Sequence, residues 1–374
     1  MKRVLLVTRA ITPPWDEASK NFAYTLAKKY KEYRATLLTK GRIDDPHNRF
    51  DQLPIYYSSM LDRHRFLTAA QKLRLLKLRR HFNDYQLVHF LLTPSLLSSR
   101  LFKLIVPKKV KTVQSVAAVR TDRYTPKQLR ETLWADAIVT YSHYASKKLR
   151  DINVDNTMIY PGIDTQLFKP QPKDKKLLAK YKLSNKDFVV MYPGEYVRLG
   201  ATDLIANSVQ GLKDTIPNVK VMFACRIKSN DDVLRRDAML EDLKQRKLDS
   251  YVVTTGTEPD MVALYNTADV IIFPVGNLTG KFDLPLSILE AMACSKPLVL
   301  TDIPKLAELN KLPFVETIPP NDEQALIKTL VALHKNDENR RTVGAADRDY
   351  IVKNFDINVI TTQYEDLYNS LLER

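Results

Sequence analysis

KFDLPLSILEAMACSKPLVLTD, residues 281–302, reads as a loop, a short helix and a buried strand. Leu286, Leu289, Met292 and Ala293 recur at helical spacing, and Lys296-Pro297 closes the helix before the apolar run Leu298-Val299-Leu300. One carboxylate, Glu290, sits inside this otherwise apolar helix. A charge in such a place is costly unless it has a partner to bind.

On either side of this stretch, short apolar runs alternate with helical patterns. Phe188–Tyr192, Val219–Phe223, Tyr251–Thr254, Val270–Phe273 and Leu298–Leu300 read as strands, with helices over 203–214 and 231–247 between them. The first half repeats the pattern. Val4–Thr8, Arg34–Thr39, Leu87–Leu92, Lys111–Ser115 and Ala137–Tyr141 are predicted strands, and Met158-Ile159-Tyr160 leads into Pro161-Gly162. A helix starts near Asp16 or Ser19, with Phe22, Leu26 and Ala27 on its apolar face. Strand and helix alternating in this way build parallel α/β units. The hydrophilic tract Lys169-Pro170-Gln171-Pro172-Lys173-Asp174-Lys175-Lys176 lies where one unit ends and the next begins. At 374 residues the chain exceeds what one core usually serves. The predicted class is α/β, two doubly wound Rossmann-like domains facing across a cleft: residues 1–165, to which 355–374 return, and residues 166–354. Ligands of such sheets bind beyond the carboxyl ends of the strands.

Charge is distributed unevenly. Residues 1–165 hold 30 Lys and Arg against 14 Asp and Glu, whereas residues 166–374 hold 28 against 29. The whole net charge of +15 therefore belongs to the first half, which predicts an anionic partner there. Arg63 to Phe82, RHRFLTAAQKLRLLKLRRHF, interleaves cations with leucines. Two readings stay open: a basic amphipathic helix on an anionic membrane surface, or a helix that covers the sheet and leaves its charges in water. No apolar stretch approaches the roughly 20 residues that span a bilayer. The opening run of about five apolar residues is shorter than the core of a signal peptide and reads as a first strand. The two cysteines, Cys225 and Cys294, make neither a disulfide framework nor a metal cluster, and cytoplasmic residence is expected.

Several chemistries are excluded by spacing. No Gly-x-Gly occurs, so the dinucleotide fingerprint is missing. Gly276 to Lys281 has three residues between its glycines and Phe282 where a phosphate loop needs Ser or Thr. There is no Gly-x-Ser-x-Gly elbow, and the six histidines show no metal-binding spacing. Polar residues at strand ends of the second half remain. Gly194 and Gly200 bracket Glu195 and Arg198 after one strand, Arg226 and Lys228 follow the next, and Lys281 precedes the Glu290 helix. The glycines permit close approach of backbone to a ligand, and the cations suit a diphosphate.

These residues resemble a family 4 glycosyltransferase of the GT-B fold over most of the chain. Tyr160-Pro161-Gly162-Ile163-Asp164 with Phe168 and Pro170 is similar to the family's inter-domain Pro-Asn-Gly-Val-Asp signature. Tyr192-Pro193-Gly194 to Gly200 resembles its donor-diphosphate loop, and Leu264 to Val270 with Phe273-Pro274 resembles the tract before the donor loop. Leu289-Glu290-Ala291-Met292-Ala293 with Lys296-Pro297-Leu298-Val299 matches the second half of the Glu-x7-Glu motif. The chain also departs from the pattern. Phe282 replaces the first glutamate, with Asp283 beside it; Glu195 and Leu199 replace the usual Arg and Lys of the donor loop; Glu17-Ala18 replaces a glycine pair; and Gln114 replaces a His.

The resemblance implies a hexosyltransferase that is metal-independent and takes no cofactor. It would move sugar with retention from a UDP- or GDP-sugar to a lipid-linked or envelope glycan, cytoplasmic or peripheral on the inner face of the membrane. Glu290 would hold the ribose, and Asp283 the sugar hydroxyls unless it caps the next helix. Arg198 and Lys281 would stabilise the leaving diphosphate, with Gly194, Glu195, Arg226 and Lys228 lining the donor. Trp15, Asp16, Lys20, His89 and Gln114 would lie on the acceptor side. The last helix, with Val359, Tyr364, Leu367, Tyr368, Leu371 and Leu372 on its apolar face, would return to the first domain. Two other classes remain open: a binding or scaffold protein of this fold without transfer activity, and a nucleic-acid binder, for which no recognition motif is present. A sugar-nucleotide epimerase of the same fold lacks specific support.

Overall fold

The computed structural model describes residues 1–13, 15, 17–56 and 75–374. Asp16 and most of the basic Arg63–Phe82 segment lie outside the described residues. Of its described residues Leu75 is α-helical, followed by the short 3-10 turns Leu76–Arg80 and Phe82–Asp84, which bury Leu78 and Phe82. No described helix is long and apolar enough to cross a membrane.

The chain divides into two units. The first comprises residues 1–162, 280–283 and 355–374, and the second residues 163–279 and 284–354. Strands of the first unit are β1 (Lys2–Ile11), β2 (Tyr33–Thr39), β3 (Asp51–Leu53), β4 (Leu87–Phe90), β5 (Lys111–Val116), β6 (Ala137–Thr140) and β7 (Thr157–Met158). They form one sheet in the order β3-β2-β1-β4-β5-β6-β7. Strands of the second unit are β8 (Phe188–Tyr192), β9 (Val219–Phe223), β10 (Val252–Thr254), β11 (Val270–Phe273), β12 (Leu298–Thr301) and β13 (Glu316–Ile318), in the order β10-β9-β8-β11-β12-β13. Every pairing is parallel. The two doubly wound Rossmann-like sheets are those expected of the GT-B class. The edge strands β3 and β13 escaped sequence reading because each has only three residues and no continuous apolar run.

Central strands are apolar on both faces, as helices on both sides require. Val4 to Val7 and Val189 to Tyr192 have no exposed surface. The order of strands reverses beside β1 and β4 in the first sheet and beside β8 and β11 in the second. In sheets of this kind ligands bind at the carboxyl ends of the strands beside such a reversal.

The C-terminal helix Ile357–Leu372 packs within the first unit through a buried polar seam. Tyr368 Oη lies 2.6 Å from His89 Nδ1 and 2.8 Å from Tyr30 Oη. His89 Nε2 lies 2.7 Å from Ser115 Oγ, which lies 3.0 Å from Tyr364 Oη. Glu365 accepts from the backbone amides of Lys31 and Glu32 at 2.8 and 2.7 Å. Each polar atom named is thereby satisfied on burial, which is what permits so polar an interior.

Candidate functional site

In the second unit the switch point is built from the loops after β8, β9 and β11 and the helix Leu286–Ala293. Gly276 N–H donates to Leu199 O at 2.9 Å, joining the loop after β11 to the loop after β8. Ser287 Oγ donates to Pro193 O at 3.3 Å, so the first turn of the helix abuts the same loop. Arg348 secures the other end of the helix, donating to Ala293 O and to Phe168 O at 3.1 Å.

Glu290 is half-buried on this helix. Tyr265 Oη donates to its Oε2 at 2.9 Å, the one hydrogen bond to this carboxylate among the described residues. Burial raises the carboxyl from 4.5 to about 7, and the Tyr265 bond pulls it back in part. Carboxylates normally accept several hydrogen bonds, so one with a single donor in an apolar surround retains strong accepting capacity. Tyr265, itself fully buried, was not assigned this role from sequence, although it stands in the Leu264 to Val270 tract. Its neighbours mark the tract as core, and only the fold points its hydroxyl at Glu290.

Glu195 organises the loop after β8. Its carboxylate is 4 % exposed and pairs with Arg198 Nε at 3.3 Å and with Lys228 Nζ. Sequence reasoning offered Arg198 and Lys228 as cations for a diphosphate and Glu195 as a departure from the pattern. The structure joins the three as a buried anion between two cations, with a net charge of +1. Lys228 is held in turn at the start of the helix Asn230–Gln245, where its backbone amide and that of Ser229 donate to Asp232 Oδ2, each at 3.0 Å. Arg226 lies in the same loop after β9 and is half-buried. Gly194 differs from its expected role. A Cβ there would lie 2.0 Å from the Tyr192 ring, so the missing side chain makes room for Tyr192. Gly200 has φ +71°, the left-handed turn that glycine tolerates, and closes the loop.

Lys281 and Asp283 group with the first unit and are described there. Gly280 lies under the Arg120 guanidinium, whose Nη1 would be 3.4 Å from an added Cβ. Phe282 packs on Tyr141 with ring centroids 5.5 Å apart. Asp283 is 1 % exposed, and Ser142 Oγ donates to its Oδ2 at 3.0 Å. The carboxylate expected to hold sugar hydroxyls is therefore a buried anchor of the loop that carries Lys281. It does not cap the following helix, whose N-cap is Pro285. Ser142 also caps the helix His143–Arg150, accepting from Ala145 N–H at 2.9 Å. That helix-capping position was the only signal for Ser142 in the sequence.

Acceptor-side expectations fare unevenly. Trp15 is 41 % exposed in the loop after β1, stacked on Tyr24 at 4.3 Å, with Lys20 Nζ 6.0 Å over its ring. His89 and Gln114 must be reassigned. His89 is fully buried, its ring nitrogens occupied by Tyr368 and Ser115, and desolvation lowers it from 6.5 to about 3. Gln114 is 5 % exposed; its Oε1 accepts from Trp134 and Ala135 N–H at 2.9 and 3.0 Å, and its Nε2 donates to Thr132 O at 3.0 Å. Both side chains brace the sheet. No group of His, Cys, Asp and Glu suited to a metal ion occurs among the described residues.

Comparison with known proteins adds a domain match to this geometry. Residues 187–336 match the family model described as Glycosyl transferases group 1. The N-acetyl-alpha-D-glucosaminyl L-malate synthase of Bacillus anthracis is 19 % identical over 244 residues, 64 % of this chain and 60 % of that protein. The O-antigen chain mannosyltransferase C of Escherichia coli is 30 % identical over 144 residues, 37 % of each chain. The aligned regions thus span about 60 % and 37 % of the lengths of these relatives. Among solved structures, Anabaena HepE in complex with UDP and glucose superposes with a TM-score of 0.78 at 16 % identity, covering 99 % of this chain and all of that one. Residues 187–336 thus match the group 1 glycosyl transferase domain, in a chain whose two sheets have the GT-B fold.

Proposed function

We propose that the protein is a retaining hexosyltransferase that draws on a UDP- or GDP-sugar and extends a lipid-linked or envelope glycan, without a metal. One observation carries this reading. A half-buried carboxylate with a single donor, Glu290, stands beside a loop that holds two cations at the switch point of the second sheet. Paired ribose hydroxyls are donors of the spacing a carboxylate accepts, and they supply the hydrogen bonds Glu290 lacks.

Transfer requires that the bond between the anomeric carbon and the diphosphate oxygen weaken as negative charge gathers on the leaving group. Fixed cations stabilise that charge without reorganising. Arg198 and Lys228, positioned by Glu195, supply it within the second unit. Residues 166–354 would bind the donor, and the first domain, with Trp15 and Lys20 in the loop after β1, the acceptor. The names of the two relatives, an N-acetylglucosaminyl malate synthase and an O-antigen mannosyltransferase, support hexosyl transfer, and the second alone supports an envelope glycan.

A thermal-shift screen of nucleotide sugars tests the donor: UDP or GDP should raise Tm, and Glu290→Ala should remove the rise. An unchanged rise in that variant would refute the ribose assignment. NMR of the product's anomeric proton decides retention. One observation favours a second reading, a binding protein without transfer: Glu195 neutralises one of the two cations that a diphosphate would meet. Turnover or slow hydrolysis of any bound nucleotide sugar would rule that reading out.

A further inference from the structure

Between Asp84 and Asp122 the chain contains no acidic residue, while Arg100, Lys103, Lys108, Lys109, Lys111 and Arg120 fall within that span. The helix Leu96–Ile105 runs through it. Its inward face is settled: Ser99 and Phe102 are buried, Ser99 Oγ donates to Thr132 O at 2.8 Å, and Phe102 packs on Phe90 at 4.8 Å between centroids. Leu97 and Leu104 are seven residues apart, two turns, and so share one face. They point away from the core, 70 % and 83 % exposed. Among the described large apolar side chains, only the terminal Met1 rivals them.

A single exposed leucine needs no explanation, but two on one helical face, with exposed cations near them along the chain, have none within this fold. Lys103, Lys108 and Lys109 are exposed around them; Arg100 is exposed too, though it pairs with Glu131 at 2.8 Å. The turn Leu76–Arg80 packs on the same core as this helix. Leu75, Leu78, Phe102, Val106 and Val110 all enter one core cluster of the first unit. Outside that cluster, Leu76, Lys77, Arg79 and Arg80 are exposed.

We infer that the outer face of the helix Leu96–Ile105, with the Leu76–Arg80 turn, docks on an anionic lipid bilayer. Leu97 and Leu104 enter the boundary between headgroups and acyl chains, and the lysines meet lipid phosphates. The lysines alone would suit any polyanion, whereas outward leucines between them suit a surface with an apolar layer beneath its charge. Attachment here serves the transferase reading and rests on it for its purpose, while the binding itself depends only on this patch. It also moves the membrane contact from the Arg63–Phe82 segment as a whole to residues whose exposure the fold fixes.

The test is co-sedimentation of the full chain with phosphatidylglycerol vesicles and with phosphatidylcholine vesicles, at low and high salt. The protein should bind the anionic vesicles, bind the neutral ones weakly, and bind less at high salt. Leu97→Ser with Leu104→Ser should weaken partitioning at least ~10-fold, given two leucines that each lose most of their transfer free energy. Lys103→Gln, Lys108→Gln and Lys109→Gln together should reduce the salt dependence, leaving the part owed to Lys77, Arg79 and Arg80. Both leucines are solvent-exposed, so the variants should keep the wild-type Tm and the wild-type Tm rise with UDP or GDP. That rise separates failure of this inference from failure of the donor assignment. Vesicle binding unchanged by the two serines would overturn the inference, as would a wild-type dimer that the serines convert to monomer.

Discussion

Binding of a nucleoside diphosphate at pH 7 should release about half a proton, because a carboxyl with a pKa of about 7 is then about half protonated. The ionised form alone accepts both ribose hydroxyls, so a bound donor pulls the proton off. Below pH 7 that proton competes with the ligand. Affinity should fall toward ~10-fold per pH unit, about 1.4 kcal/mol, and level off above about pH 8. Titration calorimetry at pH 7 in two buffers of different ionisation enthalpy measures the release, and dissociation constants at pH 6, 7 and 8 measure the slope. The diphosphate's own protonation contributes to both readouts, and Glu290→Gln supplies that baseline because it cannot titrate. Tyr265→Phe removes a hydrogen bond that favours the ionised form, so its midpoint should move above 7 with affinity at pH 7 reduced by about 1.5–3 kcal/mol. Proton release and a pH slope identical in wild type and Glu290→Gln would refute the reasoning.

The same shift has a stability consequence of opposite sign to the usual carboxylate case. Because Glu290 is raised in the folded state, stability is greatest below the ordinary value near 4.5 and declines until pH passes about 7. Glu290→Gln should therefore stabilise the ligand-free protein at pH 8, by up to about 3 kcal/mol, and leave it little changed at pH 4. His89 acts in the acidic range: lowered to about 3 in the fold, it costs stability as pH falls from 6.5 toward 3, by up to about 1.4 kcal/mol per unit. His89→Gln, which cannot titrate, should flatten the acid limb of urea midpoints measured from pH 7 to 4. Glu195→Gln leaves Lys228 and Arg198 without their shared carboxylate. It should lower the ligand-free Tm yet enlarge the rise produced by UDP or GDP, and a smaller rise would argue that Glu195 contacts the ligand itself. Gly194→Ala places a methyl in the Tyr192 ring and should destabilise by about 1–3 kcal/mol, with Tyr192→Val in the same chain restoring much of the loss.

The sequence alone determined the class of fold and the buried acid at its centre. Alternating apolar runs over Phe188–Tyr192, Val219–Phe223 and Val270–Phe273 can be buried only as parallel strands under helices, and the periodicity of 286–293 makes Glu290 a charge in an apolar helix. Those are properties of neighbours along the chain. What each polar group does was decided by contacts across long sequence separations, which spacing does not encode. Tyr265 meets Glu290 across 25 residues and Ser142 meets Asp283 across 141, while His89 meets Tyr368 across 279. The sequence offered Asp283, His89 and Gln114 as ligand contacts, and the tertiary structure buries all three and gives each a partner within the fold. It presented Glu195 as a lost arginine, and the structure made it the anion between two cations. A side chain's chemistry is local, but its desolvation and its partners are set by whichever distant segments pack around it, and those only the folded chain specifies.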